Sequence, residues 1–218
     1  MSTGLEVTGF LLGFASWLIT GTSLANDYWK VSSFSGSVII SNRQYENLWH
    51  SCAEDSSGIA ECRDFESLLA LPSFVQACRA LMIVALILGL LSMIVSIMGL
   101  KCIRFGSSND QTKSKIAVTG GILFILAGLC TITAVSWYAA RVVQDFNDPR
   151  YGGIKFELGA GLYLGWGGAC LSILGGAMLC CACKDVSSGK SKGAYYAASQ
   201  GQKIHKTASD ADTARAYV

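Results

Sequence analysis

Two cysteines, Cys52 and Cys62, stand with nine residues between them in a stretch crowded with carboxylates. The spacing suits a hairpin closed by one disulfide, a bond that persists where the surroundings are oxidising. Closing so short a loop contributes about 2–3 kcal/mol. Metal ligation is the competing use of these thiols. His50 is the only imidazole nearby and no further cysteine stands close, so a disulfide is expected, with no metal and no cofactor. Between 26 and 78 the acids are Asp27, Glu46, Glu54, Asp55, Glu61, Asp64 and Glu66, against Lys30, Arg43 and Arg63. That balance of seven against three is −4, whereas the whole chain is +2. Carboxylates fixed along a narrow path concentrate cations and exclude anions. A merely solvated acidic surface is the plainer reading. Enzyme chemistry is not expected: the only histidines are His50 and His205, and the glycines lie inside apolar stretches rather than in a phosphate loop. No nucleic-acid partner is expected either.

The elements that hold these residues are apolar. Of the 218 residues 51% are hydrophobic and 15% charged, where soluble domains carry about a quarter charged. No charge falls between Glu6 and Asp27, Arg79 and Lys101, Lys115 and Arg141, or Glu157 and Lys184. Each gap reaches the ~20 residues that cross a ~30 Å hydrocarbon core. The expected helices are 5–25, 80–100, 116–140 and 158–183. The first lacks the basic flank of a signal peptide and reads as a retained span. Lys101, Arg104, Lys113 and Lys115 in the short middle loop, and six basic residues after 183, put those segments in the cytoplasm. Both termini are then cytoplasmic, and loops 26–79 and 141–157 are extracellular. A four-helix domain over 1–183 thus precedes a tail, 184–218, that lacks an apolar core and is expected to be disordered.

Within the first loop, Tyr28 to Phe34 and Val38 to Ile40 flank Ser35-Gly36-Ser37, a hairpin signal. Leu48 to Ala53 and Ile59 to Phe65 form a second pair around Ser56-Ser57-Gly58. Leu68, Leu69, Leu71 and Phe74 suggest a short amphipathic turn, and Ile154-Lys155-Phe156 an edge strand. Gly120, Gly121, Gly128, Gly159, Gly161, Gly165, Gly167, Gly168, Gly175 and Gly176 fit close helix packing in lipid. Cys102, Cys180, Cys181 and Cys183 are juxtamembrane, suited to palmitoylation or to plain apolar packing against lipid. Tyr217 and Val218 offer a C-terminal carboxylate of the kind PDZ domains capture by strand addition.

Trp29, then Asn47-Leu48-Trp49, then Cys52 and Cys62 resemble the claudin signature of Trp, Gly-Leu-Trp, Cys and Cys in a first extracellular loop. Arg79, Phe146, Pro149 and Phe156-Glu157-Leu158-Gly159 are also similar to that family. Asn47 departs from the commonest glycine, as in the channel-forming subgroup. The resemblance implies a membrane α+β fold: a left-handed bundle of four transmembrane helices under an extracellular antiparallel sheet of about five strands. It implies a plasma-membrane protein that polymerises into tight-junction strands, binding other claudins in cis and in trans, PDZ scaffolds, lipid and permeating small cations. Asp55 matches the selectivity carboxylate of cation-channel members, Glu46 and Asp64 match secondary pore acids, and Glu54 is an additional acid. Arg63 replaces an expected aromatic and opposes that field. Leu68 matches a side-to-side contact that enters an apolar pocket formed by Phe146 and Leu158, where Asn147 replaces a typical aromatic. The turn at Pro149 matches the contact with an opposing cell. A barrier-forming or adhesive claudin, or an auxiliary subunit of the same fold, is the alternative.

Overall fold

A computed structural model describes residues 2–32, 43–55, 57–65, 71–100, 110–148 and 154–182. Four helices carry the chain: α1 Ser2–Ala25, α2 Ser73–Gly99, α3 Asp110–Asn147 and α4 Ala160–Ala182. All four are long and apolar enough to cross a membrane. Five strands sit above them: β1 Lys30–Ser32, β2 Arg43–Glu46, β3 His50–Glu54, β4 Ala60–Asp64 and β5 Phe156–Leu158. They form one open sheet in the order β4-β3-β2-β1-β5, every described pairing antiparallel.

α2 and α3 outrun the charge-free gaps that located them, whereas α4 stays within its own. α2 begins at Ser73 rather than near 80, directly after Pro72, whose fixed φ suits a helix start. Arg79 therefore lies well inside α2 and does not open it. α3 extends to Asn147 rather than 140 and spans 38 residues. At 1.5 Å per residue that is about 57 Å, well beyond a ~30 Å hydrocarbon core. Absence of charge marks where lipid begins, while helical hydrogen bonding continues into water. The expected loops 26–79 and 141–157 are shorter for that reason.

β2 was not anticipated. Its sequence Arg-Gln-Tyr-Glu has one apolar-bodied residue, Tyr45, and only that side chain is buried. The expected strand at Val38–Ile40 and the turn at Leu68 and Leu69 lie outside the described residues. Both strands around Gly58 occur, and an edge strand precedes α4, but at Phe156–Leu158 rather than at the expected Ile154-Lys155-Phe156.

Two apolar clusters organise the interior. One joins sheet to bundle through Trp29, Leu48, Met82, Val135, Tyr138 and Leu162. The other, deeper, is Met93, Phe124 and Leu179, with Phe10 and Trp17 against it. Between them, hydroxyls on one helix donate to backbone carbonyls of another: Ser16 to Gly168 (2.8 Å), Ser23 to Gly161 (2.7 Å) and Ser172 to Phe124 (2.7 Å). In lipid such bonds and close backbone approach replace the hydrophobic effect between helices. A Cβ on Gly121 would meet the Gly176 carbonyl at 2.7 Å, and one on Gly175 the Gly9 carbonyl at 2.7 Å. Gly167 is the exception to the expected glycine packing: a Cβ there would meet nothing within 4 Å.

Candidate functional site

The signature residues form a clamp between sheet and bundle. Trp29 is fully buried, donates from Nε1 to the Ser23 carbonyl at 2.8 Å and meets the Tyr138 ring edge-on at 5.2 Å. Leu48 is fully buried beside it. Asn47 is buried and uses both ends of its amide. Its Oδ1 accepts from the Trp49 and His50 backbone amides at 2.7 and 2.8 Å, and its Nδ2 donates to Asp27 Oδ1 at 3.1 Å. The side chain thereby closes the turn into β3, work that a glycine cannot do. Arg79 reaches up from α2 and donates from Nε to the Leu48 carbonyl. Its guanidinium lies 5.0 Å from the Trp49 ring centre and 5.7 Å from that of Phe65. Buried Arg79 thus satisfies a turn carbonyl and stacks on aromatic faces, which Lys does less well.

β3 and β4 form the outer hairpin. Cys52 and Cys62 are directly opposed across the ladder and joined by a disulfide, Cα–Cα 4.0 Å. The turn closes with Asp55 N–H donating to the Ile59 carbonyl (3.0 Å) and Gly58 N–H to the Asp55 carbonyl (2.8 Å). Gly58 has φ 79°, a conformation that favours glycine. Burial pushes the Tyr45 phenol on β2 above its ordinary value, and Tyr28, Asp27 and Glu54 push it the same way.

The four sequence-selected acids do not form one group. Asp55 is exposed in the turn, with half-buried Glu54 just before it. Glu46 and exposed Asp64 lie at the other end of the sheet, bordering a cavity of about 550 Å³ between sheet and helices. Leu71, Phe74, Val75 and Tyr138 are among its apolar walls, and Lys30, Arg63, Arg141 and Asp145 add charge. Asp64 pairs in register with His50, five residues before Asp55, so at ~3.4 Å per residue about 17 Å of strand separates the two acids. That is twice the ~8 Å over which charges are felt at physiological salt. Glu46 is held by Lys30 at 2.6 Å and accepts from Ser51 Oγ at 3.2 Å. Lys30 also lies 4.5 Å from the Phe156 ring centre. Glu61 pairs with Arg63 at 3.3 Å, so Arg63 faces an acid.

Phe146 and Leu158 come together in a second cavity, about 310 Å³, with Val142, Val143, Phe156, Glu157 and Tyr163. Asn147 does not share it: its side chain folds back on α3, Nδ2 donating to the Val143 carbonyl at 3.0 Å. Leu68, Pro149, Tyr217, Val218, Cys102 and Cys183 lie outside the described residues. Cys180 faces α3, its thiol 3.8 Å from the Val118 carbonyl, whereas Cys181 is exposed.

Reading the residues alone missed Asp27, Tyr138 and Arg141. Asp27 organises Asn47 and His50 from twenty residues away or more. Tyr138 backs Trp29, and Arg141 lies over the Phe74 ring at 5.6 Å. Tyr138 lies within an apolar span and Arg141 just past one, both ordinary features, so only Asp27, two residues before the signature Trp29, carried a usable signal.

The family described as PMP-22/EMP/MP20/Claudin matches residues 3–179. Claudin-15 of Mus musculus is 46% identical over 189 residues, 85% of this chain and 83% of its own length. Claudin-19 of Homo sapiens is 46% identical over 186 residues, 84% of this chain and 83% of its own. Claudin-7 of Rattus norvegicus is 42% identical over 198 residues, 90% and 92% respectively. Signature clamp, disulfide hairpin, four spans and near-full-length similarity agree: the chain belongs to the claudin family, multi-pass plasma-membrane proteins of the tight junction.

Proposed function

We propose that this claudin polymerises into strands that carry cation-selective paracellular pores. The observation that carries the reading is the exposed carboxylate of Asp55 at the tip of a hairpin held by a disulfide, in a loop of net charge −4. A rigid scaffold holds the charge in place without coordinating the ion strongly, and conduction requires weak sites. Glu46 contributes less than its formal charge, because Lys30 at 2.6 Å turns it into a dipole. Asp55 with Glu54 lies at one end of the sheet and Asp64 at the other, two separate stations along a path. The cavity between Phe146 and Leu158 supports side-to-side assembly: it is lined mostly by apolar side chains, with Glu157 beside them, and its volume of about 310 Å³ leaves room for a side chain such as Leu68 of a neighbour. The C-terminal Tyr217-Val218 supports attachment to a PDZ scaffold, and exposed Cys181 supports lipidation. Expression in cells lacking junctions tests the whole. Strands visible by freeze-fracture, with conductance favouring sodium over chloride in a monolayer, are expected. Strands with raised resistance and no preference would make this a barrier claudin, and membrane delivery without strands an auxiliary subunit.

A further inference from the structure

β1 lies between β2 and β5, and Lys30 engages both neighbours. On β2 it stands directly opposite Glu46, so the two side chains share a face, and its Nζ is 2.6 Å from Glu46 Oε2. On β5 its direct partner is Leu158, and Phe156 is the diagonal one. Long side chains reach such diagonal neighbours, and the Lys30 ammonium lies 4.5 Å from the Phe156 ring centre. Aromatic faces attract cations, so the ring holds the ammonium from the second side. Lys30 and Glu46 are each only 23% exposed, whereas the Arg63 side chain on β4 is 81% exposed. The Lys30 charge is therefore a fixed part of the wall of the 550 Å³ cavity.

Two opposite charges this close act on a passing ion as a dipole, whose field fades faster than that of either charge alone. We propose that Glu46 serves this chain as the counter-ion of Lys30 rather than as a selectivity acid, and that Lys30 sets the charge of this stretch of the path. The stretch is neutral with both groups present, negative without the ammonium and positive without the carboxylate. The inference rests on the pore reading given above and deepens it, since it names a residue that restrains cation preference. It departs from the likeness to cation-channel members, which gives Glu46 a pore role of its own. Ser51, opposite Glu46 on β3, is four residues before Asp55, so about 14 Å of strand separates the pair from the hairpin tip. That exceeds the ~8 Å over which charges are felt at physiological salt, so the pair and Asp55 contribute independently.

The test compares NaCl dilution potentials across tight epithelial monolayers that express the full chain and its variants at matched surface levels. Lys30→Met keeps the apolar stem against Phe156 and removes only the charge; Lys30→Gln serves if the methionine variant is not delivered. The ratio of sodium to chloride permeability should rise about twofold, the scale of one unopposed charge at close, screened range. Glu46→Gln should lower the ratio by a similar factor, because Lys30 then stands unopposed. Both substitutions together should restore the wild-type ratio, and Lys30→Arg, which keeps the charge, should leave it unchanged. An unaltered ratio in Lys30→Met would overturn the proposal. So would a paired variant that keeps the deficit of Glu46→Gln, which would make Glu46 a selectivity acid in its own right. Asp55→Asn in the same monolayers reports on the pore reading separately. A response to Asp55→Asn without one to Lys30→Met sinks this proposal alone, whereas no response to Asp55→Asn counts against the pore reading itself.

Discussion

Asn47 shows what a single side chain contributes at this site. Two backbone amides and one carboxylate depend on its amide group. Asn47→Ala removes all three bonds in a buried position, and leaving such groups unsatisfied costs about 1–3 kcal/mol. The expected outcome is a fall in the detergent melting temperature and in cell-surface delivery; an unchanged melting point would contradict the clamp. Tyr45 makes a second prediction, in alkali. Its folded-state pKa lies above the ordinary 10.0, chiefly from burial. The stability it contributes is therefore complete below that ordinary value and is lost as pH rises through the raised one. Tyr45→Phe, which cannot ionise, should hold the ectodomain folded further into alkali than wild type, read by near-ultraviolet dichroism. At this scale the sequence named Trp29, Asn47, Leu48, Trp49 and Arg79 but not their work. Their partners, Asp27, Tyr138 and the Leu48 carbonyl, are distant along the chain, and periodicity carries no trace of such contacts.

At the level of elements, the disulfide hairpin and the overhanging α3 set the geometry of the ectodomain. The disulfide ties residues already opposed in register, so it acts mainly on the unfolded hairpin, by about 2–3 kcal/mol. Removing both sulfurs together, Cys52→Ala with Cys62→Ala, should lower the ectodomain's stability by that amount while all four helices persist. Circular dichroism with hydrogen exchange would resolve the two parts, and equal loss across both would show the sheet and bundle to be one cooperative unit. The helices were legible because the bilayer demands long uncharged stretches. Their ends were not, because Ser73 to Arg79 and Arg141 to Asn147 continue the helices past the uncharged stretches with ordinary polar and charged residues among them. β2 was hidden for a related reason: a strand with one face in solvent and a single buried tyrosine reads as a loop.

For the whole molecule, sheet and bundle share one interior, and the cavity bounded by Phe146 and Leu158 lies at their junction. If neighbours insert a side chain there, Leu158→Trp should fill it. Fewer or shorter strands by freeze-fracture, with normal surface delivery, are expected; strands of ordinary length would place the side-to-side contact elsewhere. Architecture was read correctly from charge gaps, cysteines and signature, since each reflects a physical constraint of membrane or oxidising surroundings. The distribution of the acids was not, because sequence counts charges without showing that Glu46 is paired or that Asp55 and Asp64 stand about 17 Å apart along the strands. The central claim is that an exposed carboxylate at the hairpin tip sets selectivity. NaCl dilution potentials across a tight epithelial monolayer expressing wild type or Asp55→Asn test it most directly. The account predicts a cation-favouring potential with wild type that shrinks in the variant while junctional localisation is kept. Identical potentials in the two would contradict it.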